Sequence, residues 1–172
     1  LGEGKKVNLT ANLSSQKTTY RIGITEPYFL DRHLSFFGNV FDEQTENSKG
    51  DVKSDSTGID LGIGFKSNDL AQTLKYKFTT SETTTSSSST ASSITGEEGV
   101  EIKTSSITHS FSKDTRDSFF EPTTGYKWSF ENTLAGIGGD SNFYKSVFNV
   151  KTFYPIDYGE YIFGFKAGAG FV

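Results

Sequence analysis

Strict two-residue alternation of apolar and polar side chains constrains this chain more than any other feature. In Val7-Asn8-Leu9-Thr10-Ala11-Asn12-Leu13-Ser14 every odd position is apolar and every even one polar. The same rhythm returns in Ile59-Asp60-Leu61-Gly62-Ile63-Gly64-Phe65-Lys66 and in Leu74-Lys75-Tyr76-Lys77-Phe78-Thr79. Successive side chains of a strand point to opposite faces of a sheet, so this writing gives each strand one apolar and one wet face. No window carries a competing helical period. An aromatic content of 15%, with 18 Gly and 3 Pro in 172 residues, suits twisted strands joined by polar turns.

The pattern predicts nine strands: 7–14, 19–26, 33–42, 57–66, 71–81, 100–113, 125–135, 143–155 and 161–171. Connections 43–56 and 82–99 read as long and rich in Ser, Thr and Glu, whereas 67–70 and 156–160 read as short. Long on one side and short on the other is the habit of outer-membrane barrels. Segment 82–99, with the run Ser86-Ser87-Ser88-Ser89, is too polar to offset its ordering entropy and is expected to be a mobile exposed loop.

Several classes fall away on composition. Only 33% of the residues are hydrophobic, and the richest run, Tyr161-Ile162-Phe163-Gly164-Phe165, ends at Lys166, which excludes a spanning helix. Without cysteine there is no disulfide framework and no thiol nucleophile. A net charge of −4 gives no electrostatic footprint for nucleic acid, so none is expected as a partner. Methionine is absent and Leu1-Gly2-Glu3-Gly4 has no signal-peptide character, so the chain reads as an internal fragment of a longer protein.

A soluble β-sandwich and a membrane barrel both alternate, and the faces must decide between them. In 161–171 one face carries Tyr161, Phe163, Phe165, Ala167, Ala169 and Phe171, against Ile162, Gly164, Lys166, Gly168 and Gly170. In 125–135 the apolar side holds Tyr126, Trp128, Phe130 and Leu134, with Asn132 as the exception. Strand lengths near the roughly 9 to 11 residues a bilayer needs favour the barrel, with Tyr126, Trp128, Phe130, Tyr161, Phe163, Phe165 and Phe171 facing lipid. A soluble antiparallel fold stays open as the alternative. Two strands fit poorly, since Phe36 and Phe37 fall on opposite faces, as do Ile102 and Ile107. An odd strand count also conflicts with the even count of single-chain bacterial barrels, again as expected of a piece.

Chemistry-bearing constellations are sparse. His33 and His109 have no second ligand at metal spacing, and His109 and Ser110, adjacent on a strand, point apart and cannot form a nucleophile–base pair. Gly136-Ile137-Gly138-Gly139-Asp140 lacks the following helix of a phosphate loop and reads as a hairpin connection. Asp114-Thr115-Arg116-Asp117 reads as a local ion pair or Asx turn rather than a binding clamp. Asp60, Lys66, Lys75, Lys77, Lys127 and Glu131 are expected to face lumen water and balance one another, with solute selection as the alternative. No catalytic residue, metal site or cofactor is expected, and the chain does not read as an enzyme.

Three blocks resemble the barrel of the BamA outer-membrane assembly factor family, the bacterial surface antigens or POTRA-barrel insertases. The first is Thr25-Glu26-Pro27-Tyr28-Phe29-Leu30-Asp31-Arg32. The second is Asp114-Thr115-Arg116-Asp117 followed by Phe120-Glu121-Pro122-Thr123-Thr124-Gly125-Tyr126. The third runs from Leu134 through Gly136, Gly138, Gly139 and Asp140 to Lys145, with Tyr154-Pro155-Ile156 after it. Thr124 stands where the family often has Arg. The order and spacing of the blocks extend the resemblance over essentially the whole chain.

The resemblance implies an all-β, antiparallel up-and-down transmembrane β-barrel, of which 1–172 would be a single partial domain holding about nine of sixteen strands. POTRA repeats, the terminal barrel strands and an Arg-Gly-Phe loop would lie outside it. On that mapping 1–4, 27–32, 67–70, 114–124 and 156–160 face the periplasm, and 43–56 and 82–99 lie outside the cell. The implied activity is folding and insertion of barrel proteins into the bacterial outer membrane, with membrane lipids, unfolded clients and accessory assembly lipoproteins as partners. A two-partner-type secretion transporter and a passive porin barrel are the alternatives.

Overall fold

A computed structural model of the chain describes residues 4–47, 52–85 and 99–172. They form one nine-stranded antiparallel sheet in which every strand pairs with its neighbours in sequence. The strands are β1 (Lys6–Leu13), β2 (Lys17–Glu26), β3 (Leu34–Glu46), β4 (Val52–Ser67) and β5 (Leu70–Thr85). β6 (Glu101–Asp114), β7 (Gly125–Ala135), β8 (Phe143–Ile156) and β9 (Tyr161–Phe171) complete it. All nine expected strands are present, in a sheet that is not closed: β1 and β9 are each paired on one side only.

The sheet differs from expectation at its upper ends. The long connection expected over 43–56 is largely strand, because β3 continues to Glu46 and β4 begins at Val52, with pairs such as Glu43 opposite Ser56 and Gln44 opposite Asp55. Likewise β5 runs on to Thr85, while the rest of the expected mobile loop, 86–98, lies outside the described residues. The contrast of long and short sides fails as well. The connection 115–124 lies on the same rim as the two-residue turn Asn68-Asp69 and the turns after β2 and β8.

Register, rather than any one strand, defines the faces. Val7 stands opposite Ile24, Ile24 opposite Gly38, Gly38 opposite Leu61 and Leu61 opposite Tyr76. The row continues through Ile107 and Leu134 to Tyr144. One face of the sheet is therefore apolar from edge to edge, and it is exposed, with Leu9 at 76% and Phe163 at 56% of full accessibility. Among the described residues only Phe41 and Ala135 are buried hydrophobics. A soluble sandwich would bury this face in a second layer.

The two awkward strands have physical explanations. Phe36 belongs to the apolar face, opposite Ile63, whereas Phe37 lies on the other face with its ring over Gly62, where a Cβ would overlap it. Glycine thus makes room for an aromatic on the polar side. Ile107 joins the apolar row, and Ile102 on the other face lies near the outer end of β6.

Candidate functional site

The second face, the inward one, carries the charges of the sheet's middle, whereas Lys103 and Lys113 on the apolar face lie toward the ends of β6. Alternation puts Asp60, Lys66, Lys75, Lys77, Lys127 and Glu131 on this one face, together with Arg21, Asn39, Lys151 and Lys166. At its centre Arg21 reaches Asp60 at 3.5 Å and Asn39 donates to the other Asp60 oxygen. Phe41, packed against Gly58, lies between two cations: the Arg21 guanidinium is 5.1 Å and the Lys77 ammonium 5.0 Å from its ring centroid. Such cation–π contacts are worth about 0.5–2 kcal/mol each and hold long side chains flat against the wall.

All seven aromatics expected to face lipid share the opposite face: Tyr126, Trp128 and Phe130 on β7, and Tyr161, Phe163, Phe165 and Phe171 on β9. The rings of Phe130 and Phe148 are 6.5 Å apart, and those of Tyr144 and Phe171 5.7 Å. Asn132, the polar exception on that face, accepts hydrogen bonds from the Tyr144 hydroxyl at 2.7 Å and the Ser146 hydroxyl at 3.1 Å. A side-chain oxygen so satisfied costs far less on an apolar face than a bare one.

The connection after β6 is the most constructed of the three motif turns. Arg116 clamps Asp114 through Nε at 2.8 Å and Nη2 at 2.7 Å, and Lys127 approaches the same carboxylate at 3.3 Å. Arg116 also stacks on Phe119, 5.5 Å from its centroid. Asp117 accepts from the backbone N–H groups of Ser118, Thr123 and Thr124 and from the Thr123 hydroxyl, folding Phe120 and Pro122 into the loop between. Gly125 closes the turn at φ +97°, with the space a Cβ would need filled by the Thr115 carbonyl. The residues read as a local ion pair and Asx turn form both.

The Thr123 hydroxyl and three backbone amides hold the Asp117 carboxyl down to about 2, from its usual 3.8. Its folded-state value is the lower one, so its contribution to turn stability is present above the usual carboxylate range and lost as pH falls through about 2. Carbon-detected NMR should show its titration midpoint there. Asp117→Ala is expected to speed amide exchange at Ser118, Thr123 and Thr124 at neutral pH, and unchanged exchange would show that the turn holds without it.

In the turn after β2, Phe29 stacks on Phe36 at 5.1 Å and Tyr28 meets His33 edge-on at 6.0 Å. Leu30 and Asp31 both adopt φ +56°, while Pro27 packs beside Gly4 and Glu26 is 3.8 Å from Lys5. The third motif folds back on β6 above the end of β7. Gly136 N–H donates to the Ser105 carbonyl at 3.1 Å and Asp140 N–H to the Lys103 carbonyl, while Asp140 Oδ2 accepts from Lys103 N–H at 2.7 Å. Gly136, Gly138 and Gly139 all have positive φ, as a hairpin connection of this shape requires. The loop thereby pairs backbone that the shorter β7 leaves bare.

His109 lies on the apolar face beside Phe111, whereas Ser110 points inward and donates to Glu131 at 3.3 Å. The two do not meet. Among the described residues no three His, Asp or Glu side chains are grouped to hold a metal.

The whole chain, residues 1–172, matches the Omp85 superfamily domain. It is 28% identical over 155 residues to the outer membrane protein assembly factor BamA of Neorickettsia risticii (strain Illinois), covering 90% of this chain and 20% of that relative. Its fold is similar to that of BamA from Haemophilus ducreyi lacking POTRA domains 1-3, with a TM-score of 0.85 and 18% identity over 99% of this chain. The chain spans about a fifth of the curated relative and 36% of the solved one.

Proposed function

The chain belongs to the Omp85 superfamily, and from that premise we propose that it is a wall segment of an outer-membrane protein assembly factor, one that folds and inserts β-barrel proteins. It is a segment of an antiparallel barrel integral to the bacterial outer membrane. The observation that carries the reading is the apolar face that runs unbroken in register from β1 to β8 and continues on β9, opposite an inward face rich in charge. The apolar face meets lipid in this proposal, with the seven aromatics on it, and the charged face lines water.

Open sheet edges are not tolerated in hydrocarbon, so the outer edges of β1 and β9 pair with further strands of a closed barrel. An exposed strand edge is also the physical means by which such a protein takes up a client strand, by backbone hydrogen bonding. Unfolded barrel clients, accessory lipoproteins and lipid are the partners. The test is reconstitution: the complete protein in liposomes should convert an unfolded barrel client to a protease-resistant, heat-modifiable form faster than protein-free vesicles do. A folded protein that gives no acceleration overturns the reading. Passage of a soluble exoprotein instead would make it a secretion transporter, and steady conductance alone a porin.

A further inference from the structure

On the inward face the register sets Asp114 opposite Lys127, Lys127 opposite Lys151, and Lys151 opposite Lys166, one charged side chain on each of β6 to β9. Like charges directly opposite destabilise a sheet, so three lysines in one row need a reason. Neighbouring strands are about 4.8 Å apart, and the three ammonium-bearing chains span roughly 10 Å. Together with Arg116 they line a cavity of about 450 Å³, which Ser129 and Asn149 floor and Phe119 borders. No carboxylate lines it.

Compensation is lopsided in this row. Arg21 meets Asp60 and Lys17 meets Glu43, whereas Asp114 is shared between Arg116 and Lys127. Among the described residues Lys151 and Lys166 have no carboxylate at ion-pair distance, and Glu131, the nearest acid further along β7, is engaged by Ser110. Four cations against one carboxylate leave the cavity strongly positive.

We propose that this cavity binds an extended acidic segment of polypeptide at the inward rim, an inference that rests on taking the charged face as the barrel interior. Lipid cannot reach that face. An extended chain presents carboxylates of alternate residues about 7 Å apart, a spacing that flexible lysine ends in a 10 Å row can meet in pairs. Ser129 and Asn149 offer hydrogen bonds to its backbone, and Phe119, 70% exposed, offers apolar cover. A lone phosphate would use only part of the row.

The test measures binding of a fluorescent peptide of alternating Glu and Ser to the complete protein in nanodiscs, with a Lys/Ser peptide and inorganic pyrophosphate for comparison. The Glu/Ser peptide should bind and the Lys/Ser peptide should not. The double change Lys151→Gln with Lys166→Gln should weaken binding about tenfold or more, as should raised salt, while Lys75→Gln should leave it unchanged. Heat-modifiable migration of each variant confirms that its barrel is formed. Absence of Glu/Ser peptide binding overturns the proposal, as does equal weakening by Lys75→Gln or stoichiometric displacement by pyrophosphate, which would mark a small-anion site. Client insertion by the same nanodisc-free protein in liposomes is read separately, so failure of the assembly function is distinguishable from failure of this site.

Discussion

Phe130→Arg is expected to block membrane assembly, whereas Glu131→Arg, one residue along the same strand, is expected to assemble. Phe130 lies at the middle of β7 on the apolar face, between Phe111 on β6 and Phe148 on β8. A cation on the lipid face of a barrel near the bilayer midplane costs about 2–4 kcal/mol, and this change also removes the ring packed toward Phe148. Glu131 is exposed on the inward face, where an arginine keeps its water. Fractionation of outer membranes and gel mobility with and without heating would read both variants. Equal loss would mean that the two faces do not see different solvents, and the orientation proposed above would have to be given up.

A second large effect is expected at Gly125. With φ at +97° and Thr115 carbonyl and Arg116 Cα packed where a side chain would begin, Gly125→Ala must change the backbone of the turn. Positive φ for an ordinary residue costs about 1–3 kcal/mol before any clash is counted. The displaced backbone would carry Thr115 with it, which both donates to and accepts from Tyr126 across the turn. Gly138→Ala is the matched comparison, because Gly138 also has positive φ, at +85°, but has open space around it. Unfolding of the complete protein in urea should show Gly125→Ala losing several times more stability than Gly138→Ala. Similar losses would mean that the dihedral angle, and not the close approach, sets the cost.

Where a side chain's neighbour in the chain decides its fate, the sequence was readable. Strands β7 and β9 alternate so cleanly that their bounds match the expected ones residue for residue. The upper parts of β3, β4 and β5 were not readable, because above the apolar band both faces are wet and the period vanishes. Asp42 opposite Thr57 and Glu43 opposite Ser56 are equally polar on either side. Phe37 broke the pattern because its accommodation depends on Gly62, a residue on another strand. The lysine row was hidden for the same reason: Lys127, Lys151 and Lys166 are far apart in the chain, and only register brings them level. Of the candidate site, the motif turns were legible from local residue chemistry and the basic cavity was not.

Pairing exclusively between consecutive strands also governs the order of events during folding. Hairpin formation takes microseconds, and each added strand finds its template already in place. A slip of one residue turns an entire strand inside out, moving lysines to the oily side and phenylalanines to the wet one, so errors are heavily penalised while still cheap to undo. The sheet can thus proofread itself strand by strand, long before its two free edges meet anything remote.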